Sequence, residues 1–357
     1  MDRLAAAFDV LDRFIQEGVP GAGLIVAERG EVVAERFAGM ARPDRPADAE
    51  TLWPLASISK LYTAAACLAA VEEGHISLGT RAASIFPDFT KDGRDTITLR
   101  HLLTHTSGLP YESEQMAERL AARTPLEEIL RESYDCELLF APNTNQVYSD
   151  YGIGLAGLMC ARAMNITFPD LVRSRVIDPG NLLDTFMPPP AQEYHRIAHI
   201  VGPLAESTDS AMYNSAYARD LAHPAFGTVA SARDLLAFGL LFDPNRDRHL
   251  FSRVTTMTMI TDQTGYDFPD DLTEPMSRAV RAWGLGFHVK GRMAFPELAS
   301  PRAFGHPGAT GCLLMIDPTY DIGFAFVSNL HLNTGFDDWT RRLNVLTNVI
   351  MAGMTRG

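Results

Sequence analysis

Ser57-Ile58-Ser59-Lys60 sets a hydroxyl and an amine three residues apart at the head of an apolar run, Leu61 to Val71, that closes at Gly74. Positions i and i+3 share one face of a helix, so Ser57 and Lys60 would point the same way. A hydroxyl beside an amine is a nucleophile with a proton acceptor at hand, provided burial keeps the lysine partly neutral. Four common residue types in this pattern also arise by chance. Alone, the pattern decides nothing.

Two later stretches carry groups that could complete such a site. Asn145 to Gly152 is a polar loop before a helical run, and its Tyr148 could bring a phenol to Ser57. Beside a cationic Lys60 that phenol ionises more easily and can act as a base. The plainer reading makes Tyr148 a loop anchor and Ser149 or Asp150 an N-cap. The second stretch, Gly305-His306-Pro307-Gly308-Ala309-Thr310-Gly311, has three glycines that let a backbone approach a ligand closely. There the Ala309 N–H could face a developing oxyanion. A glycine-rich β-turn with no ligand is the plainer reading here.

The elements that would hold these groups follow from hydrophobic period. Leu4, Ala7, Phe8, Leu11, Phe14 and Ile15 recur at helical spacing, which predicts an amphipathic helix over 2–17. Two β-rich runs on either side of Arg29-Gly30 predict a hairpin. From Ser57 to about Pro189 the pattern turns helical, at 57–73, 98–104, 115–122, 126–133, 149–164 and 168–176. Residues 188–225 look irregular, and helices follow at 231–242 and near 250–260. Strand composition returns at Gly284 to Lys290, Ala303 to His306, Cys312 to Asp317 and Ile322 to Ser328, with a turn at Pro318 to Asp321. A last amphipathic helix, about 336–354, puts Trp339, Leu343, Leu346, Ile350 and Met354 on one face. Strands at both chain ends around a helical middle predict one antiparallel sheet assembled from the termini, packed by the first and last helices. The expected organisation is an α/β sheet domain from 1–56 and 275–357, a mainly helical domain over 57–274, and a cleft at their junction.

Composition narrows the function. The 357 residues, 46% hydrophobic and 21% charged, suit a soluble globular chain of about two domains. Thirty-one basic against 44 acidic side chains give a net charge of −13, which disfavours nucleic acid and anionic membranes as partners. Met1-Asp2-Arg3-Leu4 does not open a charged and then apolar export signal, and no window approaches 18 uninterrupted apolar residues, so a cytoplasmic location is expected. Cys67, Cys136, Cys160 and Cys312 are widely spaced without a Cys-x-x-Cys pair, which predicts buried thiols.

Ser57-Ile58-Ser59-Lys60, Tyr148-Ser149-Asp150 and His306-Pro307-Gly308, in that order, resemble the three motifs of the serine β-lactamase and penicillin-binding-protein superfamily. The version with tyrosine second and His-x-Gly third is similar to AmpC-like β-lactamases, D-stereospecific aminopeptidases, D-alanyl-D-alanine carboxypeptidases and family VIII esterases. The resemblance spans nearly the whole chain, including Val19 to Ala22, Leu78 to Phe89, Leu99 to Pro110 and Gly227 to Phe238. It implies a β-lactamase-like fold and an acyl-enzyme mechanism without cofactor or metal. In that mechanism Ser57 attacks, Lys60 and Tyr148 handle its proton, and the N–H groups of Ser57 and Ala309 form the oxyanion hole. His306, Gly308 and Asp150 are implied around the substrate.

Two departures from the pattern steer the expected substrate. Asp150 stands where asparagine is common, and an ionised carboxylate there accepts hydrogen bonds only and favours the ammonium form of Lys60. His306 stands where many relatives carry lysine, and a histidine is mostly neutral above about pH 6.5. Both the histidine and the absence of an export signal point to a carboxylesterase acting on small to medium neutral acyl esters. A β-lactamase, D-amino-acid peptidase or acyltransferase on the same site is the alternative, and a non-catalytic binding module is the alternative of another class. Self-association is left open. His101 and His105 have a zinc-like spacing but no intervening glutamate or third ligand, so they are expected to be structural. His288 is read as a strand imidazole, and Met257, Met259 and Met276 as ordinary packing that could line an acyl pocket.

Overall fold

The computed structural model describes residues 3–202, 213–265, 282–290, 296–332 and 336–355. Its main sheet runs in the order β3-β2-β1-β10-β9-β8-β7, where β1 is Gly21–Glu28, β2 Glu31–Arg42, β3 Arg45–Pro46, β7 His288–Val289, β8 Phe304–Gly308, β9 Cys312–Asp317 and β10 Ile322–Ser328. The two chain ends meet where β1 pairs antiparallel with β10, Leu24 opposite Phe326. This is the β-lactamase-like architecture that the sequence predicts.

Strand alternation sends side chains to two different cores. Leu24, Val26, Leu313, Met315, Phe324 and Phe326 face the helices Ala5–Gln16 and Phe336–Met354, with Phe14 edge-on to Phe326 at 6.1 Å. Ile25, Leu314, Ile316, Ala325 and Val327 face the opposite way, into the larger core. There the helix Ala232–Leu240 and the helix Ser59–Glu72 pack. Every residue from Ser59 to Ala70 is buried, as expected of a helix apolar almost all round.

Four local features differ from the sequence reading. A second sheet joins β4 (Trp53–Pro54), β6 (Val229–Ala230) and β5 (Thr185–Phe186) in that order. Two-residue strands are too short to leave a period. β8 runs on through Pro307 to Gly308, where a turn was expected to begin. Among the described residues β7 pairs with Phe304 and Gly305 alone and leaves His306 to Gly308 without a strand on that side, where proline's missing N–H removes no ladder bond. Of Gly284 to Lys290, only His288 and Val289 are strand. The four cysteines are free thiols, and Cys136 is half-buried rather than buried.

Candidate active site

Ser57 sits on a short 3-10 turn, Ala56–Ile58, that leads into the buried helix. Ala56, fully buried, has φ 46°, a left-handed conformation that a non-glycine residue adopts at a cost of about 1–2 kcal/mol. The surroundings impose it. The Leu55 N–H donates to the Thr228 carbonyl at 2.9 Å, Ser59 Oγ accepts from the Thr228 N–H at 2.9 Å, and Thr310 Oγ1 donates to the Pro54 carbonyl at 2.6 Å. No side chain caps the turn, so its first N–H groups, Ser57's among them, have no helical partner. Gly308 of β8 lies across from this turn, and a Cβ there would fall 2.3 Å from the Leu55 carbonyl oxygen. Ala309 follows at once, its carbonyl held by the Leu332 N–H at 2.8 Å.

Lys60, with no exposed surface, donates from Nζ to Ser57 Oγ at 3.1 Å and to the Ala225 carbonyl at 3.1 Å. Asp150 Oδ1 lies 2.8 Å from the same nitrogen. The two groups form a buried ion pair. Asp150 opens the helix Asp150–Ala163, whose N-terminal dipole favours a carboxylate. Burial alone would push the Lys60 amine down, but Asp150 and then Tyr148 outweigh it and hold the amine above its ordinary value. At rest Lys60 is therefore an ammonium. Burial raises the Asp150 carboxyl, and Lys60 only partly reverses this.

Tyr148 lies under Lys60, with the Nζ 4.6 Å from its ring centre. Both Lys60 and Ser57 approach its phenol oxygen as hydrogen-bond partners. The sequence reading has Lys60 easing Tyr148 toward phenolate. Instead, burial outweighs the pull of Lys60, Asp150 opposes it further, and the phenol is held above its usual range. Tyr148 is a neutral phenol at rest.

His306 completes the group. Its Nδ1 faces the Pro307 carbonyl and its Nε2 lies 3.4 Å from Tyr148 Oη. A carbonyl can only accept, so Nδ1 carries the proton and Nε2 accepts from the phenol. Burial first, then Lys60 and His288, hold this imidazole well below its ordinary value and hence neutral. The donors and acceptors form one consistent chain: Lys60 donates to Ser57, Ser57 to Tyr148, and Tyr148 to His306.

The structure thus brings half-buried Ser57 and buried Lys60, Tyr148, Asp150 and His306 into one network, with Gly308 and Ala309 beside the Ser57 turn. His101 is not part of it. That ring accepts the Thr98 N–H at 3.3 Å in a capping box. Among the described residues no cluster could hold a metal ion. His288 is half-buried, edge-on to Trp283 at 5.0 Å. Met259 is core, Met257 is half-buried, and Met276 lies outside the described residues. The Ala225 carbonyl, Trp283 and His105 surround the site unforeseen. A backbone carbonyl leaves no mark on a sequence, and the other two came without a motif that named their role.

A sequence model of the β-lactamase family matches residues 2–347. The chain belongs to the β-lactamase family. Over 182 residues, 50% of this chain and 46% of the relative, it is 29% identical to a β-lactamase of Escherichia coli K12. Over 200 residues, 51% of each, it is 32% identical to the esterase EstB of Burkholderia gladioli. The chain spans about half the length of these two relatives. Among solved structures, a penicillin-binding protein homologue from Caulobacter crescentus superposes with a TM-score of 0.75 at 25% identity over 98% of both chains. Relatives of this family chain are thus hydrolases of more than one substrate class. Among the described residues no helix is long and apolar enough to cross a membrane.

Proposed function

We propose that this protein is a serine carboxylesterase that forms an acyl-enzyme on Ser57 and acts on small to medium neutral acyl esters. The observation that carries this reading is the state of His306. A lysine at the third motif would offer a permanent cation to a substrate carboxylate. Here a buried imidazole, held neutral, is turned toward Tyr148 instead. Such a site binds a neutral acyl group without leaving a charge unanswered.

The network sets the order of events. Because Lys60 is an ammonium, it cannot take the serine proton, and it stabilises the developing alkoxide by donating to Ser57 Oγ. As Ser57 Oγ attacks the ester carbon, its proton passes to Tyr148 Oη while the phenol's own proton is handed to the ester's alkoxy oxygen, so that no imidazolium forms; His306 Nε2, neutral throughout, orients the phenol beforehand. The tetrahedral oxyanion faces the N–H groups of Ser57 and Ala309, each worth about 2.7–4 kcal/mol in such a role. Collapse breaks the bond to the alcohol, which leaves with the proton relayed through Tyr148. A water molecule then repeats the sequence on the acyl-enzyme and frees the acid.

Hydrolysis of a p-nitrophenyl acyl series beside a chromogenic cephalosporin, for the wild type and Ser57→Ala, tests the reading. Ester turnover that the substitution abolishes, with the cephalosporin nearly untouched, is the expected result. Fast cephalosporin turnover would overturn the substrate class in favour of a β-lactamase.

A further inference from the structure

His105 breaks two rules of a packed interior at once. Its backbone is left-handed, φ 60°, which is uncommon for a residue other than glycine. Its side chain is buried, and Nε2 has no hydrogen-bond partner among the described residues. An unpaired buried donor costs about 1–3 kcal/mol. An ordinary core position would shed both penalties by substitution.

Both penalties secure Tyr148. The Val147 N–H donates to the His105 carbonyl at 3.0 Å, and the Ser149 N–H donates to His105 Nδ1 at 3.0 Å. Between these two anchors the imidazole stacks on the Tyr148 ring, centroids 4.6 Å apart and planes 28° from parallel. One residue therefore grips the chain on both sides of the phenol and covers its face. Trp283 and Tyr111 also touch that ring, at 5.8 and 6.1 Å between centroids, and the Tyr111 carbonyl accepts the Asp150 N–H at 2.6 Å, beyond the pair of anchors that His105 supplies. Accepting from Ser149 requires a deprotonated Nδ1, which puts the ring proton on the unpartnered Nε2. Burial first, then Lys60 and His288, keep the imidazole neutral and so keep that acceptor available.

We propose that His105 is a positioning residue that fixes Tyr148 Oη between Ser57 and His306 through its Nδ1 acceptor, its carbonyl and its stacked ring. This rests on the acyl-enzyme reading above. Tyr148 is faced by Lys60 and Asp150 from two helices, by His306 from β8, and by His105 and Tyr111 from the loop beside it. Lys60, and after it the Ser57 hydroxyl, draw its ionisation downward, so a phenol that drifts from them ionises at higher pH.

Two substitutions separate the contacts. His105→Phe keeps a ring for stacking but removes the acceptor. His105→Asn keeps an acceptor near the place of Nδ1, suits the left-handed backbone, and removes the ring. Ester hydrolysis is followed against pH, with active sites counted by a fluorophosphonate that labels Ser57. For His105→Phe we expect kcat to fall about 10–100-fold at unchanged KM, with the alkaline fall of kcat/KM, where the relaying phenol ionises, displaced to higher pH. His105→Asn should recover most of the lost kcat and the wild-type profile. If His105→Phe does not fold, His105→Ala takes its place with the same expectation. A per-site kcat and profile equal to the wild type in either variant lacking the acceptor would overturn the proposal, as would a His105→Asn no better than it. Should the wild type hydrolyse no ester, the substrate reading fails, and His105 is judged from the rate and pH profile of fluorophosphonate labelling. A wild type that is not labelled at Ser57 at all overturns both.

Discussion

The face of the main sheet under the terminal helices and the group of polar side chains around Ser57 beyond its other face are both largely buried, yet they are built on opposite terms. Under the helices Ala5–Gln16 and Phe336–Met354 the contacts are apolar and interlocking, with Leu11, Phe14, Leu24, Phe324, Phe326 and Leu346 in one cluster. Around Ser57 the interior holds an ammonium, a carboxylate, a phenol and an imidazole, beside two left-handed non-glycine residues, Ala56 and His105. Apolar burial of the first kind stabilises at about 25 cal/mol per Å². Buried charge of the second kind gains little, because desolvation offsets most of the attraction. One region holds the fold together, and the other is held in place by it.

Substitutions on the two sides should therefore separate stability from turnover. Lys60→Ala leaves the Asp150 carboxyl buried without its partner, so we expect loss of ester turnover and a stability lower by about 3–5 kcal/mol in urea denaturation. The double variant Lys60→Met with Asp150→Leu should recover that stability and remain inactive. Recovery of activity in the double variant would break the comparison. On the other face, Phe326→Ala should lower stability by about 3–5 kcal/mol while leaving kcat per folded molecule unchanged. A kcat reduced tenfold in fully folded protein would mean that the sheet face sets the geometry of the site directly. The smallest effect belongs to Ala56→Gly. Relief of the left-handed strain, less the extra freedom of glycine in the unfolded chain, should raise the urea stability by up to about 1 kcal/mol. A loss of stability there would show that Ala56 is not strained.

The same division explains what the sequence made legible. The helical stripe through Leu343, Leu346 and Ile350 declares itself by its 3.6 period, and the runs Cys312 to Asp317 and Ile322 to Ser328, buried on both faces, by their strand composition. Those are the elements of the dry face. The motif residues Ser57, Lys60, Tyr148 and His306 were legible as a set because their order and types resemble a known family. The protonation states were not legible. They depend on burial, which no motif records: Lys60 does draw Tyr148 toward phenolate, as expected, but burial, with Asp150 beside it, outweighs that pull. β4, β5 and β6 are two residues each and carry no period. His105 could be singled out by its spacing from His101, which without a third ligand left both histidines expected to be structural and named no task for either. Only the fold shows the two residues facing different tasks, one capping a helix and the other gripping the chain around Tyr148.

The central claim is that an acyl group passes through Ser57. It is tested most directly by acid-quenching the protein during p-nitrophenyl ester turnover and mapping the added mass by peptide mass spectrometry. The account predicts the acyl increment on the peptide that contains Ser57, and its disappearance together with turnover in Ser57→Ala. An adduct on another residue, or undiminished turnover in Ser57→Ala, would contradict it.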